Sequence, residues 1–214
     1  TDATEDVVRS ANLTLPVKYR RNKSNFGIPR NFLNVVDMAQ GEFAWLVGDD
    51  DLLMPDALMQ VCSLIDLHSN VDFFYVNAFH LTTEYVLSHS QPFDTQNLPD
   101  DMVPFSSRLE GGECDFLDLI DPKVSFDFLG GMFLSVFRRS KWQKNKHILE
   151  IGAIDDLRTF SHFDNTFPHV KIFAYSFAKS IAYFNPHPVI VCLTGAREWA
   201  PMYPFIHSVR LVEA

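Results

Sequence analysis

Gly41-Glu42-Phe43-Ala44-Trp45-Leu46-Val47-Gly48-Asp49-Asp50-Asp51 is the stretch whose reading decides the fold. Phe43 to Val47 is apolar without alternation, the pattern of a strand buried on both faces, as in parallel sheets. Gly48 ends it, and three carboxylates follow at once. Pro55-Asp56 then opens a helix, because proline suits the first helical position. The acids therefore fall at the carboxyl end of a buried strand, where open α/β sheets place ligands. Three adjacent negative charges repel one another, and a divalent cation with oxygen ligands would relieve that cost. The bland alternative is an acidic loop stabilised by a helix dipole.

Upstream, Leu15 to Arg20 alternates like a strand, and Asn22 to Pro29 is rich in turn formers. A helix is expected from Pro29, with Phe32, Val35, Val36 and Ala39 on one face and Gly41 at its end. Leu15 to Gly48 thus reads as a strand-helix-strand unit, the building block of a parallel sheet. Within it Lys18, Arg20, Arg21, Lys23 and Arg30 crowd together, a set that suits a phosphate near a helix start as well as a solvated face. Glu5 to Ala11 reads as a short helix.

Downstream, Pro55 to Leu67 is an amphipathic helix with Leu58, Val61, Cys62 and Ile65 inward, and Asp72 to Asn77 a strand. His80 to Pro104 is polar, aperiodic and broken by prolines, which reads as an excursion. Cys114 to Ile120 reads as a short helix. Gly130-Gly131 precedes a strand at Met132 to Phe137, and such a pair lets backbone approach a ligand or bends the strand. Ile154 to Phe163 and Phe167 to Ala178 read as helices, and Ile181 to Phe184 and Val189 to Cys192 as short strands.

With 214 residues, 47% apolar and 21% charged, the composition is that of a globular domain, read here as residues 1–214 in two halves, 1–78 and 79–214. A net charge of −9 argues against a nucleic-acid partner. Three scattered cysteines suit free thiols in a reducing compartment, and no apolar run reaches the roughly 20 residues of a membrane span. The expected setting is the cytoplasm, or the inner face of its membrane for a peripherally attached enzyme. Twenty Phe exceed what a core needs, so some are expected at a pocket or interface.

Asn25-Phe26-Gly27, Asn31, Ala39-Gln40-Gly41-Glu42-Phe43, Asp49-Asp50-Asp51 and Pro55-Asp56-Ala57-Leu58 stand in one order and at one spacing. That string resembles the family 2 glycosyltransferases, whose nucleotide-sugar-binding domain has the GT-A fold. Thr1-Asp2-Ala3-Thr4 is similar to the end of a loop after the family's second strand. The family's first strands, which contact the nucleotide, have no counterpart before Thr1, so the resemblance implies an N-terminally incomplete, mostly parallel α/β sheet and a longer intact polypeptide. More loosely, Phe133 to Trp142, Asn165 to His169 and Gly195 to Trp199 resemble the bacterial surface-polysaccharide branch, including abequosyltransferase-like enzymes.

The resemblance implies transfer of a sugar from a nucleotide-sugar donor to a saccharide or lipid-linked saccharide acceptor, with inversion. It implies Mn²⁺ or Mg²⁺ as cofactor, on Asp50 first, with Asp49 toward the ribose or metal and Asp51 an alternate. Asn25, Gly27 and Arg30 would approach the nucleotide. The catalytic base would be Asp155, Asp156 or Asp164, none of them in the family's paired-acid motif. His169 or His187 would complete a metal site, and Trp199 or the stretch Phe160 to Phe177 would stack on sugar or lipid. Two other classes stay open: a non-catalytic carbohydrate-binding or scaffold domain, and a sugar nucleotidyltransferase, which needs a glycine-rich basic loop absent from this sequence.

Overall fold

A computed structural model describes residues 3–11, 16–121, 130–158, 160–195 and 200–213. Its strands are β1 (Phe43–Trp45), β2 (Asp51–Leu53), β3 (Phe73–Thr82), β4 (Val103–Pro104), β5 (Gly112–Asp115), β6 (Ser135–Arg138) and β7 (Ile181–Thr194). The helices are α1 (Thr4–Ser10), α2 (Gly27–Met38), α3 (Ala57–Leu67), α4 (Thr83–Leu87), α5 (Arg139–Asn145), α6 (Ile151–Ile154), α7 (Phe163–Thr166) and α8 (Pro168–Phe177). Among the described residues the strands form one sheet, ordered β1-β6-β3-β7-β2, with β4 on β3 and β5 on β7.

The long apolar strands β3 and β7 lie side by side and parallel, and they carry the core. Phe73, Phe137, Phe173 and Phe177 interlock on one face, mostly edge-on, and Phe137 stacks on Trp142, with ring centroids 5.0–6.4 Å apart. Val61, Val71, Val76 and Val189 close the other face beneath α3. The α/β class expected from the sequence holds. The sheet itself is mixed, because every pairing other than β3 with β7 is antiparallel. Residues 16–20, expected to start the parallel unit, form no strand. Without that partner β1 takes an antiparallel one, β6, and stands at the sheet edge with Phe43 and Trp45 only half-buried.

Several other expectations change. The two short strands around Pro186 and Pro188 are one continuous β7. It passes its prolines by a bulge opposite Asn77, with the register stepping from Val76↔Asn185 to Ala78↔Ile190. Proline has no N–H for the ladder, and where the β3–β7 pairing breaks the buried Asn77 amide satisfies the carbonyls instead, donating to Pro186 O and Ser106 O, both at 2.9 Å. The excursion 80–104 is structured: α4, a 3-10 turn and β4 fold over Leu81, Val191 and Leu193. Cys114 belongs to β5, with a 3-10 turn following at Phe116–Leu119. The helix expected at Ile154 to Phe163 is confined to α6 and α7 at its ends. In α3 the inward residues are Ala57, Val61, Leu64 and Ile65, while Leu58 and Cys62 are exposed. The expected helix over Phe167 to Ala178 is α8.

Candidate functional site

Asp49 and Asp50 form the turn after β1, and Asp51 opens β2. Gly48 is what lets them gather. A Cβ on it would stand 2.6 Å from Asp50 Oδ1, closer than real side chains approach, and 3.0 Å from Asp51 Oδ2, a tight contact. Two oxygens from separate carboxylates therefore converge on the one residue that offers no side chain.

All three aspartates line a cavity of about 640 Å³. Ile28 and Phe32, from the first turns of α2, line it too, as do Gly130, Gly131, Met132 and Phe133 ahead of β6. The glycine pair thus lies at the cavity. Trp45 of β1 ties that segment to the acid side, its indole N–H donating to Phe133 O at 2.6 Å. Thr166, Phe167 and His169, around the start of α8, form a further wall. His169 is buried among Phe32, Phe167 and Phe173, with centroids 5.8–6.2 Å away. The metal candidates Asp49, Asp50, Asp51 and His169 therefore share one cavity.

The other candidates lie elsewhere. Asn25 accepts the Gly27 N–H at 2.8 Å, a turn that starts α2, with Gly27 at φ +79°. Neither lines the cavity, although Ile28 beside them does. Arg30 donates from Nε to Asp155 Oδ1 at 2.6 Å, and that guanidinium holds the half-exposed carboxyl below its ordinary range. Asp156 is gripped by Arg158, whose Nε reaches both carboxylate oxygens (3.0 and 3.1 Å) and whose NH2 reaches one at 2.7 Å. This drives the Asp156 carboxyl far below the usual carboxylate range. Asp164 is buried, accepting the Glu150 N–H at 2.7 Å and Lys171 Nζ at 2.9 Å. None of these three carboxylates is among the cavity's lining residues. His187 is exposed in the β7 bulge, and Trp199 lies outside the described residues. The basic set is not gathered at the cavity either: Arg21 reaches Glu5 at 3.8 Å and Arg30 is committed to Asp155.

Sequence reasoning missed the last wall. Residues 200–213 form a run of helical turns, and Tyr203, Ile206, His207 and Leu211 line the cavity beside Phe160. Their i, i+3, i+4, i+8 spacing is a readable helical stripe. A second, more open groove of about 700 Å³, between Thr82–Ser88 and Thr194–Gly195, holds none of the candidates. Its hydroxyls are already spent on backbone: Thr83 on Thr194 O at 2.9 Å, Thr194 on Leu81 O at 3.2 Å, Ser88 on Tyr85 O at 2.6 Å.

Comparison with known proteins gives the same neighbourhood. The profile described as "Glycosyl transferase family 2" matches residues 1–139. Abequosyltransferase RfbV of Salmonella typhimurium (strain LT2) is 24% identical over 196 residues, covering 90% of this chain and 54% of that protein. An uncharacterized glycosyltransferase of Haemophilus influenzae is 24% identical over 108 residues, covering 50% of this chain and 37% of its own. The crystal structure of S. aureus TarS 1–349 in complex with UDP-GlcNAc is similar in fold, with a TM-score of 0.63 at 15% identity over 92% of this chain and 48% of that one. The chain spans about half the length of RfbV and of the TarS chain, and less of the Haemophilus protein.

Proposed function

Because the chain belongs to glycosyl transferase family 2, we propose that it transfers a sugar from a nucleotide-sugar donor to a saccharide or lipid-linked saccharide acceptor in bacterial polysaccharide assembly. The observation that carries this reading is the convergence of the Asp50 and Asp51 carboxylates beside Gly48, on a cavity they share with Asp49 and His169.

The donor set fits a hard cation. Among the described residues no three His, Cys, Asp or Glu side chains stand ready to ligate a metal by themselves. Mg²⁺ and similar ions are commonly held by one or two carboxylates together with substrate phosphates and water, so two converging carboxylates suffice. Asp50 and Asp51 would hold Mn²⁺ or Mg²⁺, with Asp49 toward the donor's ribose or the metal. Such an ion supplies Lewis-acid stabilisation of the negative charge that grows on a departing diphosphate. The chain's own residues do the rest. The start of α2 brings Ile28 and Phe32 to the donor, and the Gly130-Gly131 backbone lets it lie close. The aromatic walls exclude water and offer a face to the sugar ring.

Inversion requires a group to take the acceptor's proton. Asp155 and Asp156 are held ionised by guanidinium groups, which makes each a weak base as it stands. Asp164 is committed to Lys171 in the same way, and the pH–rate profiles of the three variants test each as the base. The setting proposed is the cytoplasm or the inner face of its membrane. Among the described residues no helix is long and apolar enough to cross a membrane.

The test is turnover of a panel of nucleotide sugars with and without Mn²⁺. Metal-dependent sugar transfer supports the reading. Nucleotide exchange with pyrophosphate would point to a nucleotidyltransferase, and saccharide binding without turnover to a scaffold domain.

A further inference from the structure

Phe160 lines the cavity with its backbone in the left-handed region, φ +61°, where a bulky aromatic residue is rarely found and is strained. Two side chains distant from one another in sequence hold it there. Its N–H donates to Asn165 Oδ1 at 3.0 Å. Its carbonyl accepts from Arg210 Nε at 2.9 Å, and the next carbonyl, Ser161 O, accepts from Arg210 Nη2 at 2.5 Å. Asn165 is buried and in turn donates to Asp156 O at 2.7 Å. The guanidinium lies over the Phe205 ring at 5.2 Å, and its remaining arm reaches Glu213 at 2.8 Å. An arginine seeking only charge compensation would be satisfied by Glu213. This one also places two donors on consecutive carbonyls fifty residues away, a fit that depends on the planar fork and that lysine cannot reproduce.

Arg210 sits on the helical run that brings Tyr203, Ile206, His207 and Leu211 to the same cavity. Phe160, Phe167 and Ile206 pack in one cluster, so the fork joins two walls at their seam. All of these residues lie beyond the part matched by the family profile, which ends at residue 139.

We propose that Arg210 and Asn165 are positioning residues: they clamp Phe160 in its strained conformation, and the clamp sets the aromatic wall that the transferred sugar meets and keeps water from the donor. The wall's role rests on the sugar-transfer reading; the clamp does not.

The test joins hydrogen exchange over residues 156–166 with the ratio of donor hydrolysis to transfer. Arg210→Ala and Arg210→Lys should each speed exchange in that segment by about tenfold or more, the scale expected when the groups offsetting one strained residue are lost. Phe160→Gly removes both ring and strain, since glycine accepts a positive φ. In that background Arg210→Ala should add less than about twofold, the coupling expected of groups acting through one residue. Arg210→Ala should also raise the hydrolysed share of donor several-fold. Should Arg210→Ala fail to fold, Arg210→Lys keeps the stem and charge and gives the same reading. Unchanged exchange, or additive effects in the Phe160→Gly background, overturns the clamp whether or not the protein transfers sugar. Faster exchange with an unchanged hydrolysed share overturns the wall's role. Absence of turnover by the wild-type protein defeats the sugar-transfer reading instead, and exchange alone then decides the clamp.

Discussion

The two sides of the cavity are built by different rules. The acid side comes from one continuous piece of chain: the first turns of α2, the strand β1, Gly48 and the aspartates, each placed by its immediate neighbours. The distal side is assembled from Gly130–Phe133, Phe160, Thr166–His169 and Tyr203–Leu211. It is held by side chains reaching backbone outside their own element: Asn165 reaches Phe160 five residues away, and Arg210 reaches it from fifty residues along the chain. Local rules fix where charge is handled, and tertiary contacts fix what lies against it. The first can persist while the second diverges, which matches a family profile that covers the acid side and stops before most of the distal wall.

Asp50→Ala breaks the acid side most severely. Sugar transfer should fall by about a hundredfold or more, the scale measured when a group stabilising developing charge is removed. The melting temperature should barely move, because the substitution relieves repulsion among adjacent carboxylates. Transfer at the wild-type rate would remove Asp50 from the mechanism.

Gly48→Ala tests the same side without touching a charge. Its Cβ would meet Asp50 Oδ1 at 2.6 Å and Asp51 Oδ2 at 3.0 Å, so both carboxylates must move. Displacements of that size cost on the order of tenfold to a hundredfold in rate. Half-saturation by Mn²⁺ should rise in parallel. An unchanged Mn²⁺ titration would mean that the convergence at Gly48 is unrelated to metal binding.

That asymmetry also explains what the sequence reveals. The strand ending in Gly48 and the helix after Asn25 are readable because apolar runs, glycine and proline act on their immediate surroundings. The strand direction is not, since β1 pairs with β6, whose place depends on the fold as a whole. Pro186 and Pro188 argue locally against a continuous strand, and β7 passes them with backbone groups held by the distant Asn77 amide and by Asn185 beside them. Arg138 and Arg139 appear as a basic pair after a strand. Their work is invisible without coordinates: Arg138 binds Asp72, Glu42 and two backbone carbonyls, and Arg139 donates to Gly41 O at 2.8 Å.

Arg138→Met examines that seam, which joins the turn before β1 to the core. It leaves Asp72, mostly buried, with Lys141 as its one remaining ion pair among the described residues (2.5 Å). The loss should be about 2 kcal/mol, at the low end for a broken pair because both groups keep some solvent contact. For a chain of this size that lowers Tm by about 4–8 °C. Activity measured well below the transition should be nearly intact, unlike that of the acid-side variants. A large loss of rate without a loss of Tm would place Arg138 in the chemistry instead.

The smallest effect separates the two kinds of ion pair by pH and salt. Burial pushes the Asp72 carboxyl up, but the hydrogen bonds from Lys141 and Arg138 together outweigh it and leave it below its ordinary value. A depressed carboxyl contributes stability at pH above its unfolded value, near 3.9, and loses it as pH falls through the lower folded value. The Tm gap between wild type and Asp72→Asn should therefore be full at neutral pH and close as pH falls below about 4. Asp156 is depressed further still and is as covered as Asp72 (14% against 18% exposed), but its partner Arg158 is 81% exposed where Arg138 is 20%, so salt screens that pair more effectively. Adding about 1 M salt, where screening extends over only a few ångströms, should erase the Asp156→Asn gap and leave most of the Asp72→Asn gap standing. Equal salt sensitivity in the two variants would mean that the covered Arg138 guanidinium is screened as readily as the exposed one of Arg158.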